Sequence, residues 1–184
     1  MNIIGIIPAR MASTRFPGKP LARIMAMPMI GHVYHRSKMA TILNEVYVAT
    51  CDQEIADYIS GLGGEIVMTS SSHERASDRV AEAMIIIEEK TGVKIDIVVL
   101  IQGDEPMVTP EMIRAAIQPL LVEKDVTVSN LMADIGSDEE FEDPNEIKVI
   151  VNGHNFAMYF SRNPIPSRKK YNGTAFPMKK QVCI

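Results

Sequence analysis

Asn2-Ile3-Ile4-Gly5-Ile6-Ile7 is an unbroken apolar run, and Pro8 is expected to halt it. Short continuous runs of this kind, rich in β-branched residues, mark a strand buried on both faces of a parallel sheet. Working outward, residues 45–50, 65–69 and 95–101 repeat the pattern. Stretches with helical spacing separate them. Pro28 suits the first turn of a helix to about residue 40, with Met29, Val33 and Ser37 along one side. Asp52 is a good N-cap for a helix through Ile55, Ile59 and Leu62, closed by Gly63-Gly64. Ser77 or Asp78 is expected to start a helix carrying Val80, Ala83, Met84 and Ile87. Thr109-Pro110 supplies an N-cap and first-turn pair for Ile113, Ile117 and Leu121. Further strands are expected at 125–133, 147–151 and 156–160, with an acidic stretch at 137–145 before the second of them. Strands alternating with helices of this length imply an α/β fold: a three-layer α/β/α sandwich around a mainly parallel sheet.

Composition bounds the function. The 184 residues are 46% hydrophobic and 23% charged, which are globular proportions, so disorder is excluded as the overall class. No apolar run is long enough to span a membrane, and the N-terminus lacks the basic start of a secretory signal. Two cysteines, Cys51 and Cys183, cannot build a disulfide framework, so a cytoplasmic location is expected. A net charge of −4 disfavours a nucleic-acid partner but allows a local basic pocket.

In sheets of this class ligands bind beyond the carboxyl ends of the strands. The first strand is followed by Arg10-Met11-Ala12-Ser13-Thr14-Arg15-Phe16-Pro17-Gly18-Lys19-Pro20. Its cations and small residues can converge on polyphosphate. Pro20 follows Lys19, so this is not a Walker loop. A solvated basic loop is the competing reading. The fourth strand is followed by Gln102-Gly103-Asp104-Glu105-Pro106, where Asp104 is placed either to hold Mg²⁺ or to cap a turn. A basic loop and an acidic loop at one sheet edge together point to a metal–nucleotide site. His73-Glu74-Arg75-Ala76-Ser77-Asp78-Arg79 follows the third strand and suits a helix N-cap, a base or a phosphate. Arg162, just past the aromatic Tyr159-Phe160, suits a carboxylate partner or open solvent.

Other candidates carry less. His32 and His35 are three apart on a helix without a third metal ligand in sequence, and Cys51 has no adjacent base. Ser70-Ser71-Ser72 lacks the setting of a hydrolase nucleophile, and the charge runs 138–143 and 168–170 read as solvated surface.

Four motifs, in order, resemble the 3-deoxy-manno-octulosonate (Kdo) cytidylyltransferases, the CMP-Kdo synthetase family. They are Ile6-Ile7-Pro8-Ala9-Arg10, the run from Ala12 through Lys19 to Leu21, Gln102-Gly103-Asp104-Glu105-Pro106, and Tyr159-Phe160-Ser161-Arg162 with Pro164-Ile165-Pro166. The resemblance implies a Rossmann-like fold of the nucleotide-diphospho-sugar transferase type. It also implies an enzyme joining CTP to a 2-keto sugar acid, with Mg²⁺, to give a CMP-sugar and pyrophosphate for lipopolysaccharide or capsule synthesis. Position by position, Arg10, Arg15 and Lys19 would hold the phosphates, and Ala9 and Ser13 would shape the loop around the nucleotide. Gln102 and Gly103 would line the nucleotide–sugar junction. Asp104 would bind the metal, and Arg162 would face the sugar acid. Arg15, Lys19 and Asp104 are the expected catalytic groups. His73, Asp78 and Arg79 match the cytosine-side loop of the family, with Ser77 in it, although Arg75-Ala76-Ser77 departs from the family's usual Ser-Gly-Thr.

One nucleotidyltransferase domain is expected over 1–184. Residues 1–135 would form its nucleotide-binding part, and 136–184 the start of a part that binds sugar and dimerises. Later family motifs, including a second metal-binding Asp, are not found, so a shortened chain of low or no activity is expected. A homodimer is expected of the full-length form. The alternatives are activation of another acid sugar (amino-Kdo or sialic-type) and a catalytically weak nucleotide-binding module.

Overall fold

The computed structural model describes residues 1–12, 16–167 and 178–182. The chain divides into two units, Met1–Ser129 and residues 130–182. In the first unit the elements run β1 (Ile3–Ala9), β2 (Arg23–Ile24), β3 (Met27–Pro28), α1 (Met29–Lys38), β4 (Glu45–Thr50) and α2 (Gln53–Gly61). They continue with β5 (Glu65–Met68), α3 (Ala76–Thr91), β6 (Ile97–Leu100) and α4 (Pro110–Val122). Strands β1, β4, β5 and β6 form one parallel sheet in the order β5-β4-β1-β6.

All seven residues of β1 are buried, as a central strand of a covered sheet requires. Ile3, Ile7 and Ala9 pack on one face with Ile30 and Val33 of α1, Ile55 and Ile59 of α2, and Ile113 and Ile117 of α4. Ile4 and Ile6 pack on the other face with Val80, Ala83 and Ile87 of α3. The two-residue alternation of the strand thus feeds two separate cores, with helices over both faces.

β1 does not stop at Pro8 as expected. Peptide groups along a strand address its two edges alternately, so Ile6 and Pro8 share an edge. The Ile6 carbonyl accepts from Ile101 N–H, which puts β6 on that edge. The pairing with β6 ends at Ile6–Leu100, so the missing N–H of Pro8 falls past the neighbour and removes no ladder bond. On the opposite edge the parallel register with β4 continues through Pro8–Ala49 to Ala9–Thr50.

Helix starts differ from expectation in an informative way. Thr109 caps α4 as anticipated, its Oγ1 accepting from Met112 N–H at 3.3 Å. α3 begins earlier than Ser77, at Ala76 after Arg75, and no side chain caps it. Asp52 stands at the N-cap of α2, but its carboxylate is engaged elsewhere. The β2–β3 hairpin of two-residue strands was not anticipated; runs that short carry no periodicity.

The second unit holds β7 (Leu131–Asp134), α5 (Asp138–Glu142), β8 (Lys148–Val151), β9 (Ala157–Ser161) and β10 (Lys179–Val182). Its sheet is antiparallel, in the order β7-β10-β8-β9, so the expected parallel arrangement holds only in the first unit. The strand expected over 125–133 is reduced to β7, the part that β10 pairs with. Among the described residues no helix is long and apolar enough to cross a membrane.

Candidate functional site

A cleft of about 330 Å³ opens at the carboxyl ends of β1, β5 and β6. Ala9 and Arg10 line it from the end of β1, Lys19 from the following loop, His73 and Arg75 from the β5–α3 connection, Arg79 from the first turn of α3, and Gln102, Gly103 and Asp104 from the end of β6. These are loops that a parallel sheet necessarily gathers at one edge.

Met11 organises the basic loop. Its N–H donates to Asp52 Oδ2 at 2.8 Å, and its carbonyl accepts from Gly18 N–H at 3.0 Å. Gly18 takes a left-handed conformation (φ 73°), which glycine adopts without strain. A single 3-10 turn, Lys19–Leu21, follows at once with Pro20 buried. The loop is therefore folded back on its own start, and Lys19 is aimed across the cleft. Its Nζ lies 2.6 Å from Asp104 Oδ2.

Gly103 allows this closeness. A Cβ there would sit 2.6 Å from the Pro8 carbonyl oxygen, so the turn after β6 and the end of β1 meet backbone to backbone. On the opposite wall Arg10 donates to the His73 carbonyl at 3.4 Å, and His73 Nε2 lies 2.6 Å from Glu82 Oε2. Arg79 is buried; its guanidinium bonds to Thr69 Oγ1 and reaches Cys51 Sγ at 3.6 Å.

The structure thus brings together Ala9, Arg10, Lys19, His73, Arg79, Gln102, Gly103 and Asp104 of the residues singled out in the sequence. Ser77 and Asp78 are exposed in the first turn of α3 and are not among the residues lining the cleft. Ser13 and Arg15 lie outside the described residues. In the second unit Arg162 donates to the carbonyls of Pro144 (3.0 Å) and Asn145 (3.4 Å). Lys148, fully buried beside that loop, donates to the carbonyls of Asp143, Glu146 and Arg162. Among the described residues no group of three or more His, Cys, Asp or Glu side chains could hold a metal ion. At the cleft, Asp104 is the carboxylate that faces the basic loop.

A sequence profile described as "Cytidylyltransferase" matches residues 4–182. The chain belongs to the cytidylyltransferase family. Similar relatives within it include the 3-deoxy-manno-octulosonate cytidylyltransferase of Geobacter metallireducens, 44% identical over 94% of this chain and 66% of that protein. The Geotalea uraniireducens protein of the same name is 43% identical over 100% of this chain and 72% of its own length. The mitochondrial enzyme of Arabidopsis thaliana is 43% identical over 91% and 56%. The chain thus spans roughly two thirds of the length of several curated relatives. Among solved structures, the CMP:2-keto-3-deoxy-manno-octonic acid synthetase complexed with CTP superposes with a TM-score of 0.87. That match has 36% identity and covers 99% of this chain and 72% of the other.

Within this cytidylyltransferase scaffold three residues escape sequence reasoning, Asp52 and Glu82 in the first unit and Lys148 in the second. Asp52 reads as a helix cap, Glu82 as one more polar position on α3, and Lys148 as a strand-surface lysine. Each owes its role to partners far away in sequence: Met11 for Asp52, Ser70 for Glu82 and Arg162 for Lys148. The only local hint is the His73…Glu82 spacing across a loop into a helix.

Proposed function

We propose that this chain carries the nucleotide site of a cytidylyltransferase that activates Kdo with CTP, giving CMP-Kdo and pyrophosphate for lipopolysaccharide or capsule synthesis. The observation that carries this reading is the 2.6 Å approach of Lys19 to Asp104 in a cleft also lined by Arg10 and Arg79. A cation and a carboxylate facing each other across the strand ends suit a triphosphate on one side and a divalent ion on the other. The names borne by the relatives supply the sugar acid.

In this reading Arg10, Arg15 and Lys19 hold the triphosphate, with Ala9 and Ser13 shaping the loop. His73, Ser77, Asp78 and Arg79 form the cytosine side. Gln102 and Gly103 lie where nucleotide meets sugar, and Arg162 receives the sugar carboxylate. The anomeric hydroxyl oxygen bonds to the α-phosphorus of CTP, the bond from that phosphorus to the pyrophosphate oxygen breaks, and the hydroxyl proton leaves to water. Lys19 and Arg15 stabilise the charge growing on pyrophosphate, so positioning and charge neutralisation supply the catalysis. Asp104 fits Mg²⁺, which accepts one carboxylate together with phosphate oxygens and when bound neutralises charge at the phosphates. Residues 1–135 serve the nucleotide and 136–184 the sugar and a homodimer contact, in a cytoplasmic enzyme.

Titration of CTP by calorimetry with and without Mg²⁺ tests the reading. Magnesium-dependent binding that disappears in Asp104→Ala is expected; binding indifferent to both would overturn it. Pyrophosphate release measured with Kdo, amino-Kdo and a sialic-type acid identifies the preferred sugar.

A further inference from the structure

Glu82 lies in the second turn of α3 and is not among the residues lining the cleft. Helical side chains lean toward the N-terminus of their helix, which carries this carboxylate back toward the β5–α3 connection. There Oε2 does two things at once. It accepts the Ser70 N–H at 2.8 Å and sits 2.6 Å from His73 Nε2. The intervening segment is closed on itself, because Ser70 Oγ accepts from Ser72 N–H at 3.1 Å. The His73 carbonyl in turn accepts from Arg10 at 3.4 Å. One half-buried carboxylate therefore fixes both ends of a four-residue loop, and that loop contacts a cation of the cleft. The Ser70 N–H, followed by the His73 contact, holds the Glu82 carboxyl below its usual range, so the group stays ionised and able to accept both bonds.

We propose that Glu82 is a positioning residue for the base-side wall of the cleft, holding residues 70–73 so that His73 faces the pyrimidine of the bound nucleotide. The inference rests on the reading of the cleft as a CTP site. Lys19 and Asp104 mark its polyphosphate end, which leaves the His73 wall for the base. Removal of the carboxylate frees the loop while Lys19 and Asp104 keep their places.

The 184-residue chain with Mg²⁺ is titrated by calorimetry with CTP and, separately, with inorganic tripolyphosphate. The wild type is compared with Glu82→Ala and Glu82→Gln. Expected is about a tenfold loss of CTP affinity in Glu82→Ala, as for loss of a charge-assisted hydrogen-bond pair, with a clearly smaller loss for tripolyphosphate, which keeps Lys19. Glu82→Gln retains an acceptor for Ser70 N–H and is expected to recover part of the loss. A role confined to stability predicts instead that both ligands weaken together as the melting temperature falls. Equal CTP affinity in wild type and Glu82→Ala, or parallel loss of both ligands, overturns the inference while leaving the CTP site standing. A wild type that binds no CTP overturns both. Should Glu82→Ala not fold, Glu82→Gln against wild type provides the same two-ligand comparison.

Discussion

Lys19 and Asp104 are 85 residues apart in sequence, yet their charged atoms lie 2.6 Å from each other at the mouth of the cleft. Both side chains are more than a third exposed, so the pair adds little to stability, under about 1 kcal/mol. In the proposed reading both groups exchange partners cheaply when ligand arrives. Lys19→Ala is expected to weaken CTP binding about tenfold or more and to leave cytidine binding unchanged, as read by calorimetry. A matching loss for cytidine would show that Lys19 does not serve the phosphates.

Gly103 abuts the Pro8 carbonyl, where a Cβ would sit at 2.6 Å. Backbone cannot swing aside like a side chain, so Gly103→Ala must shift the end of β1 or the turn. The expected cost is about 1–3 kcal/mol in urea unfolding, accompanied by weaker CTP binding. An unaltered unfolding midpoint would contradict the close approach.

Asp52 pins Met11 at 2.8 Å and caps no helix N–H with its side chain. Asp52→Ala is therefore expected to cost about 1 kcal/mol and to weaken tripolyphosphate binding through Lys19. Asp52→Asn keeps an acceptor oxygen and is expected to retain most of both. If Asp52→Ala binds tripolyphosphate normally, the loop does not need this anchor.

Lys148 donates to three backbone carbonyls with no exposed surface. Lys148→Met keeps the length and removes the donors, leaving those carbonyls unsatisfied. A loss of about 3 kcal/mol in chemical unfolding is expected. An effect within about 0.5 kcal/mol, normal for surface sites, would rule out the buried-donor account.

Glu140 is held below the usual carboxylate range chiefly by its bond to Lys180, and Lys180 is held above the usual lysine range chiefly by Glu140. A lowered acid stabilises the fold above its unfolded pKa, and that contribution is lost as pH falls through the lowered value. A raised lysine stabilises below its unfolded pKa and loses the contribution as pH rises through the raised value. The pair thus stabilises the second unit across the window between the ordinary values, 4.5 and 10.5. Glu140→Gln should unfold at lower urea than wild type near neutrality, and the gap should close in acid. A gap that does not narrow as pH falls well below the ordinary carboxylate value would mean the ion pair is not its source.

Much of the first unit is legible in the sequence because its signals are local. The apolar run of β1, the strand over 45–50 and the Thr109-Pro110 helix start each depend on a few neighbouring residues, and each is found in place. The candidate site is legible to the extent that chemistry follows strands: Arg10, Gln102 and Asp104 stand just past strand ends, and Lys19 in the loop after β1. The signals fail where a distant partner overrides local preference. Pro8 stays in β1 because β6 has already ended beside it. Asp52 turns from its own helix to Met11. Strand β10 inserts between β7 and β8, an order that no adjacent residues encode.

By itself the sequence determines that buried strands alternate with amphipathic helices, and that cations and a carboxylate follow particular strands. Hydrophobic period and side-chain chemistry are properties of short stretches, so they survive without a structure. Only the tertiary structure decides that Lys19 meets Asp104, that Gly103 must be bare against Pro8, and that Glu82 holds the loop behind Arg10. Those relationships depend on parallel register and on backbones packed at contact distance, where a shift of one residue would turn every side chain to the other face.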